Sequence, residues 1–207
     1  MKKILSIVLV FSLLFAFSAC GSKTQPTSQA QSETDATDTQ AQTNEASSGG
    51  KKILTVYFSW SGNTETFANY IHSTVGGDIV RINPVKAYPD NYNDVADYAK
   101  EERDNKARPE FKDLGVNPED YDVVFVGYPI WWYTMPMIMF TFFEKYDFSS
   151  KTIIPFNTHE GSGDSGTYDT IKELEPNATV LEGHAVSGGS IGSAESEVKD
   201  WLAGLKY

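Results

Sequence analysis

Two hydrophobic patterns alternate along residues 51–207. Short segments rich in β-forming residues, mostly apolar and without regular polar alternation, are typical of strands buried on both faces. They predict five strands, at Ile53–Phe58, Asp78–Ile82, Val123–Gly127, Thr152–Phe156 and Thr179–Leu181. Pro155 lies inside the fourth segment and weakens the prediction for its last residues, because proline has no backbone N–H.

Longer segments with helical spacing lie between these strands. The first places Phe67, Tyr70 and Ile71 on one side of a helix that opens at Asn63 and ends before Gly76. Further helices are predicted over residues 90–105, 137–146, 167–174 and 195–205. Strands that alternate with helices in this way favour a doubly wound α/β domain, in which a five-stranded parallel sheet carries helices on both faces.

The first fifty residues have a different composition. Two lysines, an apolar run over residues 4–17 and a small-residue stretch ending at Cys20 are typical of a bacterial lipoprotein signal peptide. Residues 21–50 contain no aromatic residue and no Leu, Ile, Val or Met, so they cannot offset the entropy of ordering and should form a disordered tether. We therefore expect residues 1–20 to direct export, Cys20 to carry a lipid anchor in the cell membrane, and residues 51–207 to fold outside the cytoplasm. Phe17 stands where a lipobox usually has Leu, which leaves cleavage without lipidation as the alternative.

The charge and cysteine content narrow the possible functions. The chain has 17 Lys and Arg against 28 Asp and Glu, a formal net charge of −11, of which −10 belongs to residues 51–207. Such an acidic surface argues against nucleic acid as a partner. Cys20 is the only cysteine and the three histidines are scattered, so we expect neither a disulfide framework nor a metal site. Any redox activity of the folded domain therefore requires a bound cofactor.

The residues that follow each strand are the candidate ligand-binding residues, because doubly wound domains bind ligands at the carboxyl ends of their strands. Loop 1, Ser59–Thr64, offers hydroxyls, an amide and a glycine where a helix begins, and a helix N-terminus favours an anion such as phosphate. The loop lacks the lysine of a Walker A motif. Ordinary capping of the helix by Asn63 or Ser61 is the alternative.

Two further loops complete this edge of the sheet. Loop 2, Tyr128–Pro136, has consecutive tryptophans between two prolines, which favours either a stacking surface for a flat ring or a loop folded back into the core. Loop 3, Asn157–Gly163, is rich in small residues that let backbone N–H groups approach a ligand.

Three motifs taken in order resemble a bacterial flavodoxin: Phe58–Glu65, Gly127–Trp132 and Thr158–Gly163. The resemblance covers almost all of residues 51–207 and implies a flavodoxin-like fold with bound FMN. It places the phosphate in loop 1, the isoalloxazine ring against loop 2 and the pyrimidine edge of the ring at loop 3. The cofactor-binding residues it implies are Ser59, Ser61, Gly62, Asn63 and Thr64 in loop 1, Pro129, Ile130, Trp131 and Trp132 in loop 2, and Thr158, His159, Glu160, Gly161 and Gly163 in loop 3.

The sequence alone is compatible with other functions. Gly161, Gly163 and Gly166 fit the spacing of a dinucleotide-binding fingerprint, although they lie several residues beyond the strand end. A non-redox solute-binding lipoprotein is the main alternative of another class. Within redox function, the acidic charge favours an electron carrier that docks on basic partner proteins over an NAD(P)H-dependent FMN reductase of quinones or similar acceptors. No catalytic residue is predicted. Because loop 1 contains no Lys or Arg, the redox potential of the flavin should be low.

Overall fold

A computed structural model describes residues 50–207. The predicted signal peptide, Cys20 and all but the last residue of the predicted tether lie outside the described residues. No helix within residues 50–207 has the length and apolar character needed to cross a membrane.

The core of the described domain is a parallel sheet in the order β2-β1-β3-β4-β5. Its strands are β1 at Ile53–Tyr57, β2 at Asp78–Arg81, β3 at Val123–Pro129, β4 at Thr152–His159, β5 at Thr179–Val180 and β6 at His184–Ser187. The predicted fold class is confirmed. β3 and β4 continue beyond the predicted ends, and β4 runs through Pro155 without a break.

The fifth position of the sheet is shared by β5 and β6, which both pair with β4. Val180 pairs with Ile153 and His184 pairs with Phe156, so three residues of the outer segment face only two of β4. One of those two is Pro155, which has no N–H to donate, and a β-bulge forms opposite it. A Cβ on Gly183 would lie 2.5 Å from the Pro155 carbonyl oxygen, so the close approach at the bulge requires glycine.

Within residues 50–207, five α-helices cover the two faces of the sheet: α1 at Asn63–Val75, α2 at Tyr92–Asp104, α3 at Met137–Lys145, α4 at Thr167–Leu174 and α5 at Glu195–Gly204. Alternate residues of β1 separate two apolar cores. Leu54 packs in the core that includes residues of α2, α3 and α4, while Ile53 packs in the core that includes residues of α1 and α5. Burial of each large apolar side chain contributes roughly 1.5–3 kcal/mol, and both faces of the sheet therefore hold the strand ends in place.

Candidate functional site

Thr158 joins the three predicted loops at the carboxyl edge of the sheet. Its backbone oxygen accepts a hydrogen bond from the N–H of Ile130 in loop 2, at 2.8 Å. Its hydroxyl lies 2.9 Å from the hydroxyl of Thr64 in loop 1, and both threonines are buried. A parallel sheet brings the strand ends together, and this buried pair fixes loop 1 against loop 3.

In loop 1 no side-chain hydrogen bond from the N-cap residue covers the backbone N–H groups at the start of α1. The helix begins after Gly62, which has a φ of 93° and gives no side-chain cap hydrogen bond. Capping by Asn63 or Ser61, the alternative drawn from the sequence, is therefore not the role that the structure assigns to this turn. The Ser59 hydroxyl instead accepts a hydrogen bond from the Gly62 N–H at 3.2 Å and closes the loop on itself. The geometry suits an anion at the helix N-terminus.

A cation lies beside loop 1 although none lies within it. The Arg81 guanidinium, at the end of β2, donates to the backbone oxygen of Ser59 and to the Glu65 carboxylate, the latter at 3.1 Å. The Tyr57 hydroxyl also donates to Glu65, at 3.3 Å, and burial together with that carboxylate raises the pKa of Tyr57. Glu65 offsets the charge of Arg81 locally. Sequence reasoning missed this arginine because it is distant along the chain from the glycine turn.

Loop 2 contains a tight aromatic turn. Trp131 and Thr134 exchange backbone hydrogen bonds of 2.8 and 3.1 Å, and between them Trp132 and Tyr133 have φ values of 50° and 62°. Positive φ at both central positions is the conformation of a type I′ turn, which usually takes Asn or Gly. For bulky residues this backbone costs roughly 1–2 kcal/mol each.

The two tryptophans of loop 2 point to different neighbours. Trp131 packs edge-on against Phe58 and Tyr88, with ring centroids 5.5 and 5.3 Å apart, so it is partly a core residue. Trp132 is 40% exposed, and its indole N–H donates to the backbone oxygen of Ala96 in α2 at 2.7 Å. The expectation of a loop folded back into the core therefore applies to Trp131, and the stacking surface for a flat ring stays a prediction.

Loop 3 is shaped by hydrogen bonds of its own residues. The Asn157 side-chain NH₂ donates a hydrogen bond to the Gly163 backbone oxygen at 3.0 Å. The Asn157 side-chain oxygen in turn accepts a hydrogen bond from the Tyr168 hydroxyl of α4. His159 is half-buried, and its Nδ1 accepts from the Gly161 N–H at 2.9 Å. Burial raises the pKa of Tyr168, so its hydroxyl keeps its proton and serves as a donor.

A fourth segment at this edge was not predicted. The N–H of Gly188, directly after β6, donates to the His159 backbone oxygen at 2.8 Å. The Asn63 amide and the Glu160 carboxylate both lie against Gly188. The segment over residues 187–193, which is rich in serine and glycine, was the available signal, but β6 itself was not recognised.

A cleft of about 300 Å³ opens between α2 and the loops. Trp60 of loop 1 and Tyr92 of α2 line it, and neither was among the predicted site residues. The Trp60 indole N–H donates to the Pro89 backbone oxygen at 2.8 Å, which fixes its ring. The remaining lining residues are Val95, Ala96, Ala99, Ile130, Trp131, Trp132, Tyr133, Glu160 and Ser162. A cleft of this aromatic composition suits a flat ring.

The predicted site residues thus lie on connected segments. Those of loop 1 surround the start of α1, and Ile130, Trp131, Trp132 and Glu160 line the cleft. No group of His, Cys, Asp and Glu among residues 50–207 could hold a metal ion. The arrangement can hold an anion at one end and a planar ring at the other.

Comparison with known proteins gives one consistent set of relatives. The sequence profile of the family named Flavodoxin matches residues 52–205. The chain is similar to a candidate flavoprotein from Bacteroides uniformis, at 30% identity and a TM-score of 0.66, over 74% of this chain and 99% of that one. It is also similar to one from Bacteroides eggerthii, at 32% identity and a TM-score of 0.63, over 74% and 96% of the two chains.

A third solved structure supports the fold alone. A flavoprotein from Lactobacillus acidophilus in complex with FMN is 22% identical, with a TM-score of 0.59 over 73% of this chain and 99% of that one. Among curated proteins no match was found.

Proposed function

Since this chain belongs to the flavodoxin family, whose cofactor is FMN, we propose that it is an FMN-binding electron carrier that works at the outer face of the cell membrane. The observation that carries the proposal is the Thr64–Thr158 contact, which unites an open helix start with an aromatic cleft at one sheet edge.

The residues of the three loops and the cleft match the parts of FMN in their chemistry and in their placement. Ser61, Gly62, Asn63 and Thr64 would hold the phosphate, because the start of α1 has no side-chain cap and offers its own N–H groups. Trp60 and Trp131 stand at the cleft walls, where they would stack on the ring. The backbone of loop 3 would contact the pyrimidine edge of the flavin ring, together with the side chains of His159 and Glu160 from the same loop.

Bound FMN would supply reversible uptake and release of electrons. The protein's own residues bind and orient it, exclude water from its ring and set the charge around it. Glu160 lines the cleft, and Arg81 near loop 1 is paired with Glu65. Because the charge of Arg81 is offset by Glu65, additional negative charge on the flavin is unfavourable, which supports a low redox potential.

The choice of a carrier rests on charge. Residues 51–207 have a formal net charge of −10, which would steer docking onto basic faces of partner proteins. The open aromatic cleft favours the second candidate, a reductase that passes electrons from NAD(P)H to quinones or similar flat acceptors. Membership of the flavodoxin family argues against the alternative function of a non-redox solute-binding lipoprotein.

The cofactor assignment is tested by ligand affinity. Apoprotein titrated with FMN should show quenched flavin fluorescence, and riboflavin should bind at least about 100-fold more weakly because it lacks the phosphate. Equal affinity for the two flavins would remove the phosphate role of loop 1. Absence of any FMN binding would remove the proposed function.

The choice between carrier and reductase is tested with the FMN-loaded protein. A carrier should accept electrons from a flavoprotein reductase and pass them to a haem protein, with negligible oxidation of NADH or NADPH on its own. Steady NAD(P)H oxidation that depends on added quinone would instead establish the reductase.

The location is tested by fractionation of cells. Wild-type protein should pellet with membranes and be released by detergent, whereas Cys20→Ala should not be lipidated. Ser22→Ala, a change of similar size two residues away, is the matched control and should behave as wild type. Unchanged membrane association of Cys20→Ala, or a purely cytoplasmic wild-type protein, would contradict the anchor.

A further inference from the structure

Helix α2 holds loop 2 through one arginine and one tryptophan. The Trp132 indole N–H donates to the Ala96 backbone oxygen at 2.7 Å. In return the Arg103 guanidinium donates to the Trp132 backbone oxygen at 3.3 Å and lies 5.5 Å from the centre of its ring. Two hydrogen bonds and a cation–π contact therefore connect the turn of loop 2 to α2, and we call this set of contacts the α2 clasp.

The turn needs such external support. Trp132 and Tyr133 both hold a positive φ that bulky side chains disfavour, and Tyr133 is 76% exposed. Trp131 is anchored separately, by its packing against Phe58 and Tyr88. The α2 clasp is thus the set of side-chain contacts from described residues that fixes Trp132 in place.

The clasp also bounds the cleft. Residues of α2 and of the turn line it together: Tyr92, Ala96 and Ala99 from α2, and Trp132 and Tyr133 from the turn. A ring bound in the cleft would therefore lie against both α2 and the turn of loop 2. Movement of the turn away from α2 would break the hydrogen bonds that Trp132 makes with Arg103 and Ala96.

We propose that Arg103 is a positioning residue which, through Trp132, holds the turn of loop 2 in place beside the FMN ring and slows release of the cofactor. This inference rests on the proposed binding of FMN. Arg103 touches the cleft only through Trp132, so its effect should fall on the dissociation rate more than on the association rate.

The experiment compares two positively charged residues of α2, Arg103 and Lys100. Arg103 and Lys100 both pair with Asp104, but only Arg103 reaches Trp132. Arg103→Met keeps the apolar stem and removes the fork and the charge, and Lys100→Met is the matched control for loss of one positive charge. Release of FMN is followed by the recovery of flavin fluorescence after dilution into a flavin-binding scavenger protein.

We expect Arg103→Met to speed release about tenfold and Lys100→Met to leave it within about twofold. Arg103→Lys, which keeps the cation but not the fork, should give an intermediate rate. Trp132→Phe, which keeps a ring but loses the indole donor, should also speed release, and thermal unfolding of each apoprotein checks that the variants fold.

Equal release rates for wild type and Arg103→Met would overturn the clasp and leave FMN binding intact. Equal acceleration by Arg103→Met and Lys100→Met would also overturn it, since the cause would then be charge alone. A wild-type protein that binds no FMN would instead defeat the proposed function.

Discussion

Loops 1 and 2 achieve similar backbone conformations by opposite means. Loop 1 turns at Gly62, whose φ of 93° is reached without strain because glycine has no Cβ. Loop 2 turns at Trp132 and Tyr133, where positive φ is costly. Loop 1 therefore turns at a residue suited to its backbone and is held by contacts such as the Thr64–Thr158 pair, whereas the strained turn of loop 2 is held by contacts with α2.

The difference shows where each loop is vulnerable. Loop 1 should fail when its glycine or its buried hydroxyl pair is changed. Loop 2 should tolerate a change at the exposed Tyr133 but fail when Trp132 or its partners in α2 lose their contacts. Three substitutions test this contrast and a fourth provides a reference outside the loops, in order of falling effect.

Gly62→Ala should have the largest effect on FMN binding. A Cβ at this positive φ strains the turn, although the space around it is open, and would distort the start of α1. We expect FMN affinity to fall about 10- to 100-fold by titration. Gly192→Ala, at another glycine with open space, is the matched control and should bind FMN as wild type. Normal affinity in Gly62→Ala would show that loop 1 does not depend on its turn.

Thr64→Val should have the next largest effect. It keeps the shape of the side chain but leaves the buried Thr158 hydroxyl without its partner, at a cost of about 1–3 kcal/mol. Both the free energy of unfolding and FMN affinity should fall, the latter about tenfold, in urea melts and titrations. Thr170→Val removes an exposed hydroxyl bond at the start of α4 and serves as the control. Unequal responses of stability and affinity would separate the structural role of the pair from its role in the site.

Tyr133→Gly should stabilise the apoprotein. Relief of the positive φ is worth about 1 kcal/mol, and little burial is lost because this side chain is 76% exposed. Tyr92→Gly is the contrasting control: Tyr92 is similarly exposed but helical, so glycine there should destabilise by up to about 1 kcal/mol. Destabilisation by both changes would mean that the turn is not strained.

Glu175→Gln provides a reference outside both loops. Burial, reinforced by the Asp147 carboxylate, raises the pKa of Glu175 to about 7. A raised folded-state pKa contributes stability at low pH that is lost as pH rises from about 4.5 through about 7. The variant should therefore be more stable than wild type at pH 8, by on the order of 1 kcal/mol or less, and no more stable at pH 4.

The control for Glu175→Gln is Glu173→Gln, an exposed neighbour that also loses one negative charge. Neither variant should change FMN affinity, because both lie at the end of α4 far along the chain from loop 3. A pH-independent gain in both variants would assign the effect to net charge.

The sequence was sufficient for five strands of the sheet, for the helices that cover it and for the glycine turn of loop 1, for a clear physical reason. Buried strands such as β3 are almost wholly apolar, and Gly62 marks its turn by residue type. Both signals are local. The fold class and the family could therefore be predicted before any contact was known.

The rest of the site depends on contacts between distant residues. Arg81 reaches loop 1 from the end of β2, and Ala96 accepts a hydrogen bond from Trp132, 36 residues away. The turn of loop 2 was not predicted because its positive φ values fall on aromatic residues rather than glycine. β6 was missed because the bulge opposite Pro155 separates it from β5.

That bulge also bears on how the domain behaves when many copies are close together. An exposed sheet edge can recruit strands from other molecules, and long flat edges are the most prone to such aggregation. Here the outer edge offers two paired residues in β5 and four in β6, displaced from each other by the extra residue. At the opposite edge, β2 is also only four residues long. Neither edge presents a continuous template, so crowded copies of the domain should resist aggregation through strand pairing at these edges.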